Sequence, residues 1–359
     1  MANEAVTVLV VGAGLAGATV AERLAARGRT VLVVDRRNHL AGNAFDEPTA
    51  WGFRHRYGPH VFHTNSGRIV QYLSRFTDWR SYEHRVVASV GDRIVPLPIT
   101  PLTLEALYDQ VIPDMAAWLA QHRSQESPTN AGSAARTRVG PDLFELLFRG
   151  YTEKMWGRTA EELGPSLTER IPVRLTPDDR YFDDVFQAMP SNGYAEMVRR
   201  MLGSVTVSLG VEWSEVARDR WEHVVFTGPL DEYFGCVLGR LPYRSLRFEY
   251  LTRDPSPIPH PASTLNQPSV LVPWIRETDQ RRLSGGGEGQ TEILREYPAE
   301  DGDPMYPIPM ASALDLRASY KRLADKEAGV SFAGRLGAYQ YWNMDQVVAN
   351  GLAVAESVP

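Results

Sequence analysis

This 359-residue chain has a single cysteine, Cys236, so no intrachain disulfide can form and a reducing compartment fits. It has no basic excess: 38 Lys and Arg stand against 44 Asp and Glu, a net charge of -6. That balance argues against a nucleic-acid-binding face, although a few arginines focused in a cleft could still hold a nucleotide. No apolar run is long enough to span a membrane. The apolar stretch near the start follows Glu4 rather than a basic segment, and Gly12, Gly14 and Gly17 break it, so it does not read as a secretory signal. There is no internal repeat, no G-x-S-x-G, no P-loop and no activated-cysteine context. What is left is an ordinary soluble composition, 43% hydrophobic and 23% charged, long enough for two or three domains and expected in the cytoplasm.

The most informative segment that is present lies in the first 46 residues. A buried strand, Val6 to Val11, runs into Gly12-Ala13-Gly14-Leu15-Ala16-Gly17. A helix follows, then a second apolar strand, Thr30 to Val34, ending in Asp35. A lone G-x-G-x-x-G is weak, but this one sits between a strand and a helix with an acid closing the next strand. Gly12 permits the tight turn, Gly14 lets backbone approach a pyrophosphate, and Gly17 lets helix and strand pack closely. The helix N-terminus offers free N–H groups to phosphate, and Asp35 would accept from ribose hydroxyls. The bland alternative is a glycine turn with no ligand. Beyond Asp35, the turn Ala41-Gly42-Asn43 favours FAD over NAD, with Ala41 where flavoproteins often place a glycine.

The fold expected is α/β, with a discontinuous FAD-binding Rossmann-type βαβ domain, a helical insertion and a mostly antiparallel substrate-side sheet. The FAD domain is placed at 1–80 with 203–235 and 312–359, the insertion at 100–165, and the sheet at 81–99 with 166–202 and 236–311. Residues 86–99 read as a hairpin about Gly91-Asp92, and 103–120 as one helix. The polar stretch 122–140 reads as a surface loop, and Pro141 opens a buried helix toward Trp156. Ser284 to Gly289 reads as a flexible tip, Val330 to Arg335 as a late strand, and Met344 to Ala355 as an amphipathic helix.

Three constellations could carry chemistry. His60 and His63, three apart in Tyr57–Asn65, invite a metal reading, but no Cys or acid cluster accompanies them and no metal is expected. They line either a packed loop or the reactive face of a flavin. Tyr151 and Trp156 could stack on a nucleobase or be core of the insertion. Arg174, Arg276 and Arg335 stand near turns with Tyr181, Tyr306 and Tyr341, and guanidinium forks suit a diphosphate. Any one of these arginines alone reads rather as a solvated surface charge, and it is the three together with the tyrosines that suggest an anion cleft.

The segments Tyr57–Asn65, Phe148–Gly157, Arg170–Leu175, Arg180–Phe182, Thr227–Pro229, Leu241–Leu246, Glu296–Pro298, Tyr306-Pro307 and Gly334–Asp345 resemble, in order and spacing, the UDP-galactopyranose mutase family. The resemblance implies an isomerase that interconverts pyranose and furanose forms of a nucleoside-diphosphate sugar. Reduced FAD then serves as nucleophile at the anomeric carbon, with an external reductant and a possible homodimer. By position it assigns Arg174, Arg276 and His63 to catalysis. It assigns His84, Phe148, Tyr151, Met155, Trp156, Tyr181, Phe182, Asn266, Tyr306, Tyr341 and Asn343 to substrate. The cofactor would be held by Gly12, Gly14, Gly17, Asp35, Arg36, Gly42, Asn43, His60, Val61, Thr227, Gly228, Arg335, Met344 and Asp345. Met155 stands where the family has a glutamine that reads uracil, and Asn343 where it has an acid, so base and sugar are expected to differ from UDP-galactose. The competing functions are an FAD-linked oxidoreductase of the amine-oxidase type and a flavin protein that only binds a nucleotide sugar.

Overall fold

The computed structural model describes residues 7–286 and 289–359, so the glycine-rich tip expected at 284–289 lies partly outside the described residues, as does the expected strand start at Val6. Val8–Val11 forms a strand, Leu15–Ala26 a helix and Val31–Asp35 the next strand. Unbroken Val and Leu without alternation is the pattern of a parallel strand covered on both faces. Val8–Val11 pairs in parallel with Val31–Asp35 on one side and His223–Phe226 on the other. Thr206–Leu209 and Val330–Phe332 complete a five-stranded parallel sheet. The Met344–Ser357 helix returns to pack against Leu15–Ala26, where a Cβ on Gly351 would come within 2.9 Å of Thr19 Cβ.

The second sheet has seven strands in the order Tyr306-Pro307, Tyr243–Arg253, Thr291–Ala299, Arg276–Asp279, Thr264–Asn266, Val86–Val90 and Arg93–Leu97. Every pairing is antiparallel except Thr264–Asn266 with Val86–Val90. A small antiparallel sheet is formed by Phe62–Thr64, Phe186–Pro190 and Trp79–Ser81, with Phe186–Pro190 in the middle.

The helical layer departs from expectation twice. The single helix expected over 103–120 is two, Pro101–Tyr108 and Met115–His122. Asp109 adopts a left-handed φ of 53° that ends the first, and Asp114 caps the second by accepting the Ala117 N–H. The loop expected over 122–140 contains a buried helix, Ala131–Val139, capped by Asn130 on the Ser133 N–H at 2.8 Å. Its small residues, Ala131 to Ala135, are buried against the Ser166–Glu169 helix. In that stretch a polar, small-residue composition marks close packing rather than exposure. From Pro141 the chain is helical almost without break to Trp156, widening into a π-type turn over Phe144–Arg149.

Candidate active site

A cleft with a cavity volume of about 270 Å³ opens at the carboxyl ends of the parallel strands. Gly12, with φ 109°, forms its floor; a Cβ there would sit 2.0 Å from Thr227 Oγ1, which donates to the Val11 carbonyl. A Cβ on Gly17 would sit 1.9 Å from the Gly12 carbonyl oxygen, so helix and strand close only over glycine. The Leu15–Ala26 helix opens at Gly14 with no side-chain cap, leaving its first N–H groups for a ligand. Asp35, 8% exposed, accepts the Ala13 N–H at 2.7 Å and the Arg37 N–H at 2.8 Å, which fixes its carboxylate at the strand end. Across the cleft, Gly42 approaches Gly14 so closely that a Cβ would meet its Cα at 3.1 Å. This cradle fits the pyrophosphate and ribose of an adenine dinucleotide.

Gly12, Gly14, Asp35, Arg36, Gly42, Asn43, His60, Thr227, Gly228, Arg335 and Met344 all line the cleft. Gly17, Val61 and Asp345 do not: Gly17 packs against the Gly12 carbonyl, Val61 is core, and Asp345 accepts from Thr64 Oγ1 at 2.8 Å. At the far end His60, Met305, Gly334, Arg335 and Met344 lead out of the cleft toward the second sheet. Burial, with Arg335 and Arg276 adding to it, pushes the His60 pKa down to about 4, so its ring is neutral.

The second sheet contributes a row of polar groups. Asn266 is opposite Arg276, and Arg276 is opposite Glu296, so the three side chains share one face on adjacent strands. Arg276 Nη2 donates to Tyr151 Oη at 3.0 Å, and its Nε lies 3.7 Å from Glu296 Oε1. Asn266 Oδ1, Arg276 Nε and Glu296 Oε1 are buried with no hydrogen-bond partner among the described residues. Burial lifts the Glu296 carboxyl although Arg276 pulls it down; burial opposes the Arg276 charge, and Glu296 and Tyr151 sustain it. Four tyrosines surround this row. Burial raises Tyr181 and Tyr306 to about 12, and Tyr151 is raised by the same cause, so all three stay protonated donors.

Around them, Trp156 meets Tyr341 and Tyr306 edge-on at 5.5 and 6.3 Å, and Arg335 lies over Tyr306 at 5.1 Å. Phe182 stacks on His63 at 3.7 Å, and His63 Nδ1 is 2.6 Å from Asp184 Oδ2. His84 is buried beside Phe182 and Tyr181, and burial takes its pKa down to about 3. Phe148 and Met155 belong to the core of the insertion.

Arg174 is not drawn to this row. Its Nε and Nη2 donate to Asp183 at 2.8 and 2.5 Å, and Nη1 donates to the carbonyls of Asp178 and Arg180, so its fork is spent on its own loop. Asn343 precedes the Met344–Ser357 helix, and its amide oxygen accepts from Arg170 Nη2.

Four groups in or beside the site escaped the sequence reading. Arg170 lies over the Tyr341 ring at 4.1 Å, a contact made only in three dimensions. Arg37 lines the cleft and bonds Asn43 and Asp303 at 2.9 Å each. Trp213 lines the cleft from the turn after Thr206–Leu209. Glu296 had a readable signal: an acid in the inward phase of a strand whose neighbour Leu294 is fully buried.

The UDP-galactopyranose mutase family model matches residues 146–341, and an NAD(P)-binding Rossmann-like domain matches residues 10–76. The chain is 34% identical to a probable UDP-galactopyranose mutase of Klebsiella pneumoniae, over 97% of this chain and 94% of that one. It is 28% identical to the dTDP-fucopyranose mutase of Escherichia coli, over 97% of each. The crystal structure of a reduced UDP-galactopyranose mutase superposes with a TM-score of 0.79 at 14% identity, covering 98% of this chain and 94% of that one, and shows the same fold. The chain belongs to the UDP-galactopyranose mutase family of nucleotide-sugar isomerases.

Proposed function

We propose that this protein interconverts the pyranose and furanose forms of a nucleoside-diphosphate sugar, with FAD in the glycine-floored cleft. Bound in reduced form, FAD supplies the nucleophile for the anomeric carbon. Asp35 holds the adenosine ribose, and the N–H groups at the start of the Leu15–Ala26 helix hold the pyrophosphate. Arg276 pairs with the substrate diphosphate, both as it leaves the sugar and as it returns. Tyr151, Tyr181 and Tyr306 supply neutral hydroxyl donors to phosphate and sugar oxygens, and Tyr341 adds a further hydroxyl. The ring cluster of Trp156, Tyr306 and Tyr341 shuts water out of the junction between cleft and sheet. Arg174 reaches the diphosphate only after giving up Asp183.

The observation that carries this reading is the buried row Asn266–Arg276–Glu296, with hydrogen-bonding capacity left over on each member among the described residues, ringed by tyrosines and with Arg276 close enough to bear on His60 in the dinucleotide cleft. An oxidase would have no use for a buried cation aimed at a diphosphate. Relatives named for UDP-galactopyranose and dTDP-fucopyranose show that base and sugar vary at this architecture. Methionine at 155, buried in the insertion core, offers no amide to a uracil edge, and asparagine at 343 puts a neutral amide beside Arg170. A substrate other than UDP-galactose follows. Dithionite-reduced protein should be offered UDP-, dTDP-, GDP- and CDP-sugars and the products separated chromatographically. Isomerisation without net redox change is expected, with UDP-galactopyranose not the best substrate. No turnover on any of them would sink the mutase reading, and preference for UDP-galactopyranose would sink the specificity reading.

A further inference from the structure

The chain carries three lysines, Lys154, Lys321 and Lys326, among its 38 basic residues. Arginine is the cation of choice here, so a lysine held in the interior needs a reason. Lys321 pairs with Asp325 on an exposed helix face. Lys154 is half-buried on the Gly150–Trp156 helix, and its Nζ donates to three main-chain carbonyls: Gln267 at 2.6 Å, Val272 at 2.9 Å and Trp274 at 2.9 Å. Among the described residues no carboxylate pairs with it. Three donors on one nitrogen match three converging carbonyls, which a planar guanidinium cannot do.

Those carbonyls belong to the loop joining Thr264–Asn266 to Arg276–Asp279. The same helix touches this hairpin at two more points. Tyr151, one turn before Lys154, accepts from Arg276 Nη2 at 3.0 Å. Gly150 lies so close that a Cβ would sit 2.4 Å from the Pro268 carbonyl oxygen. Arg244 in turn anchors the helix end, donating to the carbonyls of Met155 at 2.7 Å and Lys154 at 3.0 Å. The loop itself has little to hold it from outside: Val270 and Leu271 are 60% and 91% exposed.

We infer that Lys154 is a positioning residue that clamps the 267–274 loop to the insertion, and thereby sets Asn266 and Arg276 at the spacing a nucleoside diphosphate requires. The role rests on Arg276 being the diphosphate ligand, as proposed above. Lys154 does not touch substrate in this scheme; it acts through the hairpin.

The test is Lys154→Met in the FAD-loaded protein. Amides of 267–275 are expected to exchange at least tenfold faster, with those of 131–139 unchanged. Affinity for UDP, measured by calorimetry, should fall about tenfold. With the best sugar nucleotide, KM should rise about tenfold while kcat stays within threefold and flavin content is unaltered. Unchanged exchange over 267–275 would overturn the clamp, and faster exchange with unchanged UDP affinity would overturn the positioning role. A fall in kcat at constant KM would likewise overturn it. Should Lys154→Met fail to fold, Lys154→Arg keeps the charge but cannot set one nitrogen against three carbonyls. It is expected to shift exchange and KM in the same direction, and values equal to those of the unmodified protein would refute the clamp. The exchange comparison needs no turnover, so it decides the clamp even if the mutase reading fails.

Discussion

At the scale of single residues, the site turns on a buried charge that is only partly satisfied. Arg276 faces a buried carboxylate and donates to a tyrosine, yet among the described residues its Nε makes no hydrogen bond and lies 3.7 Å from Glu296 Oε1. Removing it deletes a charge-assisted bond worth roughly 1.5–3 kcal/mol. Arg276→Ala should therefore lose roughly 10- to 150-fold in kcat/KM and keep its FAD, since Arg276 does not line the glycine-floored cleft. Steady-state rates and the visible spectrum check both halves, and near-normal turnover would make Arg276 a structural cation. Ala41 poses a different residue-scale question. It is buried and holds a φ of 68°, where an L-residue pays about 1–2 kcal/mol. Ala41→Gly relieves that strain but loses a buried methyl, about 0.8 kcal/mol, and loosens the unfolded chain by a similar amount. The expected net change is within about 1 kcal/mol. Ala41→Val, β-branched at the same φ, should destabilise by about 2 kcal/mol or more, and paired thermal melts distinguish the two.

At the scale of elements, the Gly193–Leu202 helix shows how a distant strand can cap a helix. Asp46 Oδ2 and Oδ1 accept the N–H groups of Tyr194 and Ala195 at 2.8 and 2.9 Å. Burial raises its pKa to about 6, although those two bonds act in the opposite direction. An acid whose folded pKa is raised stabilises most below its unfolded pKa, near 4, and loses that contribution as pH climbs through about 6. Asp46→Asn should thus gain on the unmodified protein as pH rises from 4 to 6, by at most about 3 kcal/mol. Denaturant midpoints at both pH values measure it, and a constant gap would show that the carboxyl does not ionise in that window. Elements were unequally legible in the sequence. The βαβ start was readable because strand, glycines, helix and acid repeat a local grammar, and the Val86–Leu97 hairpin because Gly91-Asp92 sits between β-rich runs. The Ala131–Val139 helix was not, because what places it is packing against Ser166–Glu169 and the Arg138 bonds to the Thr168 and Ile171 carbonyls at 2.8 Å each. The resemblance named most of the residues that the fold gathers at the cleft and the second sheet, and local pattern alone would have named few of them. The Asn266–Arg276–Glu296 row exists only once strand register is known, and the Arg174–Asp183 pairing only once the loop has folded back.

At the scale of the molecule, the cofactor cleft is assembled from opposite ends of the chain. Gly334, with φ 76°, presses on the first helix so closely that a Cβ would lie 2.9 Å from Ala16 Cβ, and its N–H donates to Asn350 at 2.8 Å. Gly334→Val is expected to abolish FAD retention while leaving the helical insertion folded, which flavin absorbance and amide exchange over 131–139 would report. Retention of FAD at the level of the unmodified protein would show that this approach can widen without harm. The parallel sheet has a further consequence, for biosynthesis. Its central strand at 8–11 is synthesised long before its neighbour at 223–226, and the wall at 334–344 follows later still. The nascent polypeptide must therefore carry a half-built sheet edge through the synthesis of some two hundred residues, and the cleft is complete only once both walls have been made.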